Sequence, residues 1–408
     1  MALDSYPPES QGGAEQMVHG WSRELVARGH EVKILAGRVG VQALPDEERN
    51  GYRVRWWTSK RRTFWDGYLS AVNACRLAAQ ILNEEWRPDI VHCHQGLSAY
   101  AVLRSGITAP FVCTFHSPWR DESTEDARAF EETLSLVIRP LYRLAVLVKN
   151  ARVHQMEGDA LLRSQAIAVL SAFSRDRLSA SHGLPPESVK VILGGIDLER
   201  FKPVSDVERE RIRRRLDFTG FTILSVRRLV RRMGIDLLLQ AMVQICSRVP
   251  DVKLVLIGKG PERESLEELS NELGVGQAVT FAGFVSEEEL PDYYRAADLF
   301  ILPSRSLEGF GVSTLEALAS GLPVVATPVG ATPEILNPLE EGLVAAEATP
   351  RAIAKAAHPW LTFPSALQDM RARCRRYAED NFRWPEAGRV LEDLYRSVLQ
   401  DQGGLRSS

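Results

Sequence analysis

Cysteine is scarce in this 408-residue chain: there are five, at positions 75, 93, 113, 246 and 374. An odd number without close spacing excludes a disulfide framework and a zinc knuckle, and it points to a reducing compartment. No apolar run is long enough to span a bilayer. The N-terminus lacks the basic-then-apolar pattern of a signal peptide, so a cytoplasmic location is expected. Charge of one sign is also lacking. The formal net charge is −3 and the pI is near 6.3, which gives no electrostatic reason to expect nucleic acid as a partner. No D-x-D spacing occurs anywhere, so no paired-carboxylate clamp for a metal is indicated. No strand-like segment is followed by the full G-x-G-x-x-G fingerprint of nicotinamide enzymes.

Hydrophobic residues make up 45% and charged residues 25%, enough apolar material for two cores of ordinary size. Short apolar runs alternate with amphipathic stretches. "HEVKILAG", "DIVHCH", "PFVCTFH", "AIAVLS" and "VKVILG" form one series; "FTILSV", "KLVLIG", "AVTFAG", "ADLFILP" and "LPVVAT" form another. Strands alternating with helices mean βαβ units and parallel sheets, so the fold class is α/β with two doubly wound domains. Pro203 and the charged run "DVERERIRRRLD" set the boundary, giving domains 1–203 and 204–383. The stripe of Val390, Leu391, Leu394 and Val398 makes 384–401 a helix that packs on a domain surface, ahead of a frayed tail. One feature is odd. "GGAE" arrives after only "MALDSYPPESQ", leaving almost no room for a first strand.

Chemistry concentrates at strand ends. In "PSRSLEGFGVSTLEALASGLPVV" a strand runs into a turn carrying Glu308, followed by Gly309 and Gly311 on either side of Phe310, and then into a helix carrying Glu316. In parallel sheets ligands bind at the carboxyl ends of strands; an isolated pair of glutamates is otherwise a solvated face. Gly12 and Gly13 precede a helix, where backbone N–H groups suit a phosphate. "SVRRLVRRMG" places four arginines just after a strand, and guanidinium forks bind phosphate oxygens. His116 closes another strand, and the following Ser117-Pro118 turns its ring into a cleft. His92 reads as structural, and His92, His94 and His116 lack the ligand pattern of a zinc site.

With "ELVARGHEV", "DIVHCH", "GGIDLERFKP", "RRLVRRMG", "LVLIGKGP", "EGFGVSTLEALASGLPVVAT" and "GATPEIL", the chain resembles the family-4 retaining glycosyltransferases over most of its length. The resemblance implies the GT-B fold, two Rossmann-like domains facing a central cleft, with the last helix returning to the first domain. It implies transfer of a sugar from a UDP or GDP type of donor to a hydroxyl acceptor. By the same resemblance, Glu316 binds the ribose hydroxyls and Glu308 contacts the donor sugar. Arg228, with Arg232, binds the diphosphate, and His116 the sugar's distal hydroxyl. Gly13 leaves space for the phosphate, and the backbone of Gly309, Phe310, Gly311 and Val312 helps hold the donor. The leaving phosphate takes the acceptor's proton, and no metal or other cofactor is implied.

Two positions depart from the family. Met233 stands where the family usually has a lysine, and Gly194 where it favours asparagine. The acceptor, a sugar, a lipid-linked or a small-molecule hydroxyl, belongs to the N-terminal half. There "RVRWWTSKRRTFWDGY" mixes stacking aromatics with cations, and "LSLVIRPLYRLAVLVKN" is apolar with spaced cations. Both suit peripheral contact with an inner membrane face, although an ordinary core helix or surface loop is the expectation residue pattern alone favours. Two alternatives share the fold: a nucleotide-sugar epimerase, and a non-catalytic nucleotide-sugar-binding partner subunit.

Overall fold

The computed structural model describes residues 1–4, 12–39, 45–59, 64–116, 120–121, 124, 127, 131, 134–135 and 137–406. These form two compact units, residues 1–195 with 384 onward, and residues 196–383. The division falls after Gly195 rather than after 203. Ile196 donates its N–H to the Phe382 carbonyl at 2.9 Å, and Arg375 Nη1 donates to the carbonyls of Leu198 and Phe201 at 3.1 and 2.8 Å. Residues 196–203 are therefore bonded into the second unit, through contacts from far along the chain that local composition does not carry.

Among the described residues the first unit holds an eight-stranded sheet. Its strands are β1 (Ala2–Leu3), β2 (Lys33–Val39), β3 (Glu47–Arg49), β4 (Tyr52–Ser59), β5 (Val91–Cys93), β6 (Phe111–Phe115), β7 (Ala166–Val169) and β8 (Val189–Val191). The spatial order is β3-β4-β2-β1-β5-β6-β7-β8, and only the β3–β4 pair is antiparallel. The abbreviated first strand is present: Ala2 and Leu3 pair with Leu35 and Ala36 on one side, and Ala2 with Cys93 on the other. β5 and β6 are buried along their whole length, as uninterrupted apolar runs in covered parallel sheets are. The Gly13–Ala27 helix buries Met17, Val18, Trp21 and Leu25 on one face.

The Trp384–Arg406 helix lies against it and extends through residues expected to fray. Arg28 donates to Glu392 Oε2 at 3.2 Å and to the Pro385 carbonyl at 2.7 Å. Hydrogen bonds from Arg396, His30 and Arg28 hold the Glu392 carboxyl down at about 2. The ring of Trp384 occupies a notch made by two glycines: a Cβ on Gly20 would sit 2.1 Å from the ring, and one on Gly195 would sit 2.6 Å from it.

The second unit has a five-stranded parallel sheet among the described residues, in the order β11-β10-β9-β12-β13. The strands are β9 (Thr222–Val226), β10 (Lys253–Ile257), β11 (Val279–Gly283), β12 (Leu299–Leu302) and β13 (Val324–Ala326). β12 is buried at every position, which explains why "LFIL" shows no alternation. Its carboxyl end, beside that of β9, opens into the loop that carries Glu308.

Filling the Trp384 notch is overpacking, which costs about 1–3 kcal/mol. Gly20→Val is expected to lower the thermal midpoint by roughly 2–10 °C, read by differential scanning fluorimetry. An unchanged midpoint would show that the notch does not constrain the helix.

Candidate functional site

In the second unit β12 ends at Leu302, and Pro303 and Ser304 stay buried as the chain turns outward. Leu307 has φ +58°, a left-handed conformation that a leucine adopts only at a cost. That kink turns Glu308 back beneath the loop. The Glu308 carbonyl accepts the Ala331 N–H at 2.8 Å, and the Gly330 backbone passes so close that a Cβ there would lie 2.0 Å from the Glu308 oxygen. Strained backbone held by its surroundings is characteristic of functional positions.

The Glu308 side chain is buried and fully engaged on one oxygen. Oε2 accepts from Ser304 Oγ at 2.9 Å and from Arg227 Nη2 at 2.7 Å. Arg227 follows β9 directly, so the ends of two adjacent strands and the loop meet on this carboxylate. Thr327, beyond β13, anchors the same loop by donating to the Ser304 carbonyl at 2.6 Å.

Gly311 is the N-cap of the Val312–Ala319 helix, with φ +73°, and Glu316 lies in the helix's second turn, 4% exposed. Tyr294 donates its hydroxyl to Glu316 Oε2 at 2.7 Å. Burial, then the Glu316 charge, holds the Tyr294 phenol well above its usual range, so it stays a donor. Phe201 and Phe300 pack around Tyr294, each with ring centroids 5.7 Å away. The Glu316 carboxylate is thus oriented from below by a clamped phenol. Phe310 turns its ring inward to Phe382, with centroids 6.3 Å apart, and so contributes only backbone to the turn. Gly309 and Val312 are half-buried beside it. The hydroxyls of Thr314 and Ser306 are buried without a hydrogen-bond partner among the described residues.

Arg228 is exposed at the end of β9. Arg231, Arg232 and Met233 form a 3-10 turn, and Arg305 donates its N–H to the Arg232 carbonyl at 2.9 Å. The sequence-predicted residues Glu308, Arg228 and Arg232 therefore lie on loops that leave the carboxyl end of one sheet, and Glu316 lies on the helix that follows one of them.

The first unit presents Gly13 as the exposed opening residue of its helix, after Gly12 as N-cap. Glu15 is buried in the first turn, with a carboxylate oxygen 2.5 Å from where a Gly12 Cβ would be. His116 directly follows β6, half-buried, with Nε2 3.4 Å from His94 Nδ1. Ser117 and Pro118 lie outside the described residues. His92 uses both ring nitrogens, 2.6 Å from the Tyr395 hydroxyl and 2.7 Å from Thr114 Oγ1, so it has no lone pair left for a metal. A different group, His154, Glu157 and His182, brings ligand atoms within 4.8 Å of one another. Its two imidazoles are stacked 4.3 Å apart and 20° from parallel. An imidazole binds metal in its own plane, so rings so stacked do not aim at one ion.

Residues 11–200 match the family model for Glycosyltransferase Family 4, and residues 206–381 match that for glycosyl transferases group 1. A D-inositol 3-phosphate glycosyltransferase of Catenulispora acidiphila is 31% identical over 332 residues, covering 78% of this chain and 74% of that protein. This chain belongs to glycosyltransferase family 4. A GDP-mannose-dependent alpha-(1-6)-phosphatidylinositol monomannoside mannosyltransferase of Mycolicibacterium smegmatis is 33% identical over 57% of this chain and 62% of that protein. Among solved structures, the sucrose-phosphate synthase of Thermosynechococcus elongatus aligns with a TM-score of 0.79 at 23% identity, over 98% of this chain and 96% of that one. That likeness gives the fold, GT-B.

The sequence does not single out the three residues that hold Glu308 and Glu316. Arg227 was hidden among four similar arginines. Tyr294 sits in "YYRAADLF", where it reads as core. Ser304 is a small residue in a loop. A charged residue directly at a strand's end, one place before the expected arginine, was the available signal for Arg227.

Burial lowers the pKa of His92 and His94 well below the ordinary imidazole value, and that of His116 to about 4. Unfolded, these rings take up protons near pH 6.5. Between about 6.5 and 4 the unfolded chain then binds more protons than the folded one, so stability falls as pH falls. The thermal midpoint is expected to drop steadily from pH 7.5 to pH 5, with a shallower slope in His94→Gln. A midpoint independent of pH in this range would contradict neutral burial of the cluster.

Proposed function

We propose that this glycosyltransferase moves a sugar from a nucleoside diphosphate sugar to a hydroxyl acceptor, with retention at the anomeric carbon. One observation carries the reading: Glu308 and Glu316 are both buried and both held by a dedicated donor, at the ligand-binding end of one parallel sheet. Buried carboxylates kept in position by neighbouring donors are prepared to bind something else. Glu316, aimed by Tyr294, accepts from the vicinal ribose hydroxyls. Glu308 lies beside the sugar, where positive charge develops. The N–H groups of residues 309–312 open a helix, and with Arg228 and Arg232 they carry the diphosphate charge. Three or more such positive groups make a metal clamp unnecessary in this reading.

On the first unit, His116 takes the sugar's distal hydroxyl and Gly13 leaves room beside the phosphate. The leaving phosphate oxygen accepts the acceptor's proton. Catalysis then lies in stabilising the leaving group and positioning the acceptor. The GDP-mannose dependence of one relative supports this class of donor. The matched relatives transfer sugars, so the epimerase reading is set aside.

Glu308→Gln, which keeps an acceptor for Arg227, is expected to abolish transfer while nucleotide still binds. Glu316→Gln is expected to weaken nucleotide binding at least tenfold. Isothermal titration with UDP, GDP and ADP and anomeric analysis of the product by NMR check both claims. Normal transfer by either variant, or an inverted product, overturns the assignment.

The acceptor side is read from a helix. Trp56 and Trp57 are core residues of β4, which removes them as a stacking platform. The other candidate stretch behaves differently. Val137, Leu141, Leu144 and Leu147 are 85%, 72%, 59% and 66% exposed on or just before the Arg139–Arg163 helix, interspersed with Arg139, Arg143 and Lys149. No helix among the described residues is long and apolar enough to cross a membrane. An exposed apolar stripe edged by cations suits peripheral contact with an anionic lipid surface, and so a lipid-linked acceptor. The protein is expected to float with phosphatidylglycerol vesicles at low salt, and Leu144→Asp/Leu147→Asp to float less. Absence of binding by the unaltered protein at low salt removes this acceptor class.

A further inference from the structure

The Arg227 guanidinium is buried in an arrangement that does not satisfy it. Its side chain is 8% exposed. A single nitrogen, Nη2, faces Glu308 Oε2 at 2.7 Å, Ser304 Oγ at 2.9 Å and the sulfur of Met233. That nitrogen has two hydrogens for three neighbours. Meanwhile Nε is buried with no acceptor among the described residues, which carries a desolvation penalty. Glu308 Oε2 also takes the Ser304 hydroxyl, so the carboxylate does not depend on Arg227 alone.

The position matters as much as the geometry. Arg227 leaves the carboxyl end of β9, next to β12, where parallel sheets hold their ligands. Its head group touches the tip of Met233, the side chain that stands where a cation was expected. A diphosphate offers several oxygens in the fork geometry a guanidinium prefers, and satisfies Nε and Nη2 together.

We propose that Arg227 is the main side-chain cation for the donor's diphosphate. It rests on Glu308 while the site is empty and exchanges that carboxylate for phosphate oxygens when donor binds. The exchange uncovers Glu308 Oε2 for the sugar. This rests on the nucleoside diphosphate sugar reading above.

The test is isothermal titration of the full chain with a nucleoside diphosphate and the matching nucleoside, the base being the one among UDP, GDP and ADP that binds tightest. Arg227→Gln is expected to weaken the diphosphate roughly tenfold to a hundredfold and to leave the nucleoside within about twofold. Arg227→Gln/Met233→Lys, which returns a charge to the same spot and a partner to Glu308, is expected to recover diphosphate affinity to within about threefold of the unaltered protein. This double variant also serves if Arg227→Gln alone does not fold. Glu308→Gln, by removing the competing carboxylate, is expected to tighten the diphosphate severalfold, which a purely structural arginine would not do. No diphosphate binding by the unaltered protein overturns the donor reading and this proposal with it. Diphosphate binding that Arg227→Gln leaves unchanged, or that the double variant fails to recover while nucleoside still binds, overturns this proposal alone.

Discussion

The second unit's site depends on one buried charge pair. Arg227 follows one strand and Glu308 lies on the loop after its neighbour, and their contact at 2.7 Å offsets part of the cost of burying each charge. Three features lie around the pair: a leucine in a left-handed conformation, a glycine pressed against the glutamate's carbonyl, and a serine hydroxyl on the same oxygen. The Glu316–Tyr294 contact repeats the pattern one layer deeper, with a neutral donor in place of a cation. The two acids are thereby given different electrostatic surroundings.

Much of this was readable from residues alone. The parallel sheets follow from apolar runs that do not alternate, and the Glu308 turn from glycines on either side of Phe310. Glu316 falls on a helix because Val312, Leu315 and Leu318 share a face. Other features depend on contacts between residues distant in sequence. The membership of 196–203 in the second unit rests on Arg375 and Phe382, which no local pattern near 200 announces. Trp56 and Trp57 look like a surface platform in a basic-aromatic stretch, yet they lie on β4, which pairs with β2 and has helices packed against it, and both are buried. Arg227 was overlooked because charge alone does not say which of several neighbouring arginines points inward.

Two stretches of the first unit that mix apolar residues with cations show how burial sorts similar sequences. Trp56 and Trp57 lie within the core, whereas Val137 and Ile138 before the Arg139–Arg163 helix, and Leu141, Leu144 and Leu147 along it, are left outside. Both stretches are apolar with interspersed cations, so composition does not separate them. What separates them is that β4 lies within the sheet with helices packed against it, whereas the residues before and along this helix face outward.

The last helix has a consequence for how the molecule is made. Trp384 fills a notch lined by Gly20 and Gly195, and Glu392 is bonded by Arg28 and His30, so the first unit lacks part of its own surface until residues beyond 383 exist. The second unit, contained within 196–383, meets no such requirement. During synthesis the portion translated later can therefore finish folding first, while the portion translated earlier waits with an open seam for the end of the chain.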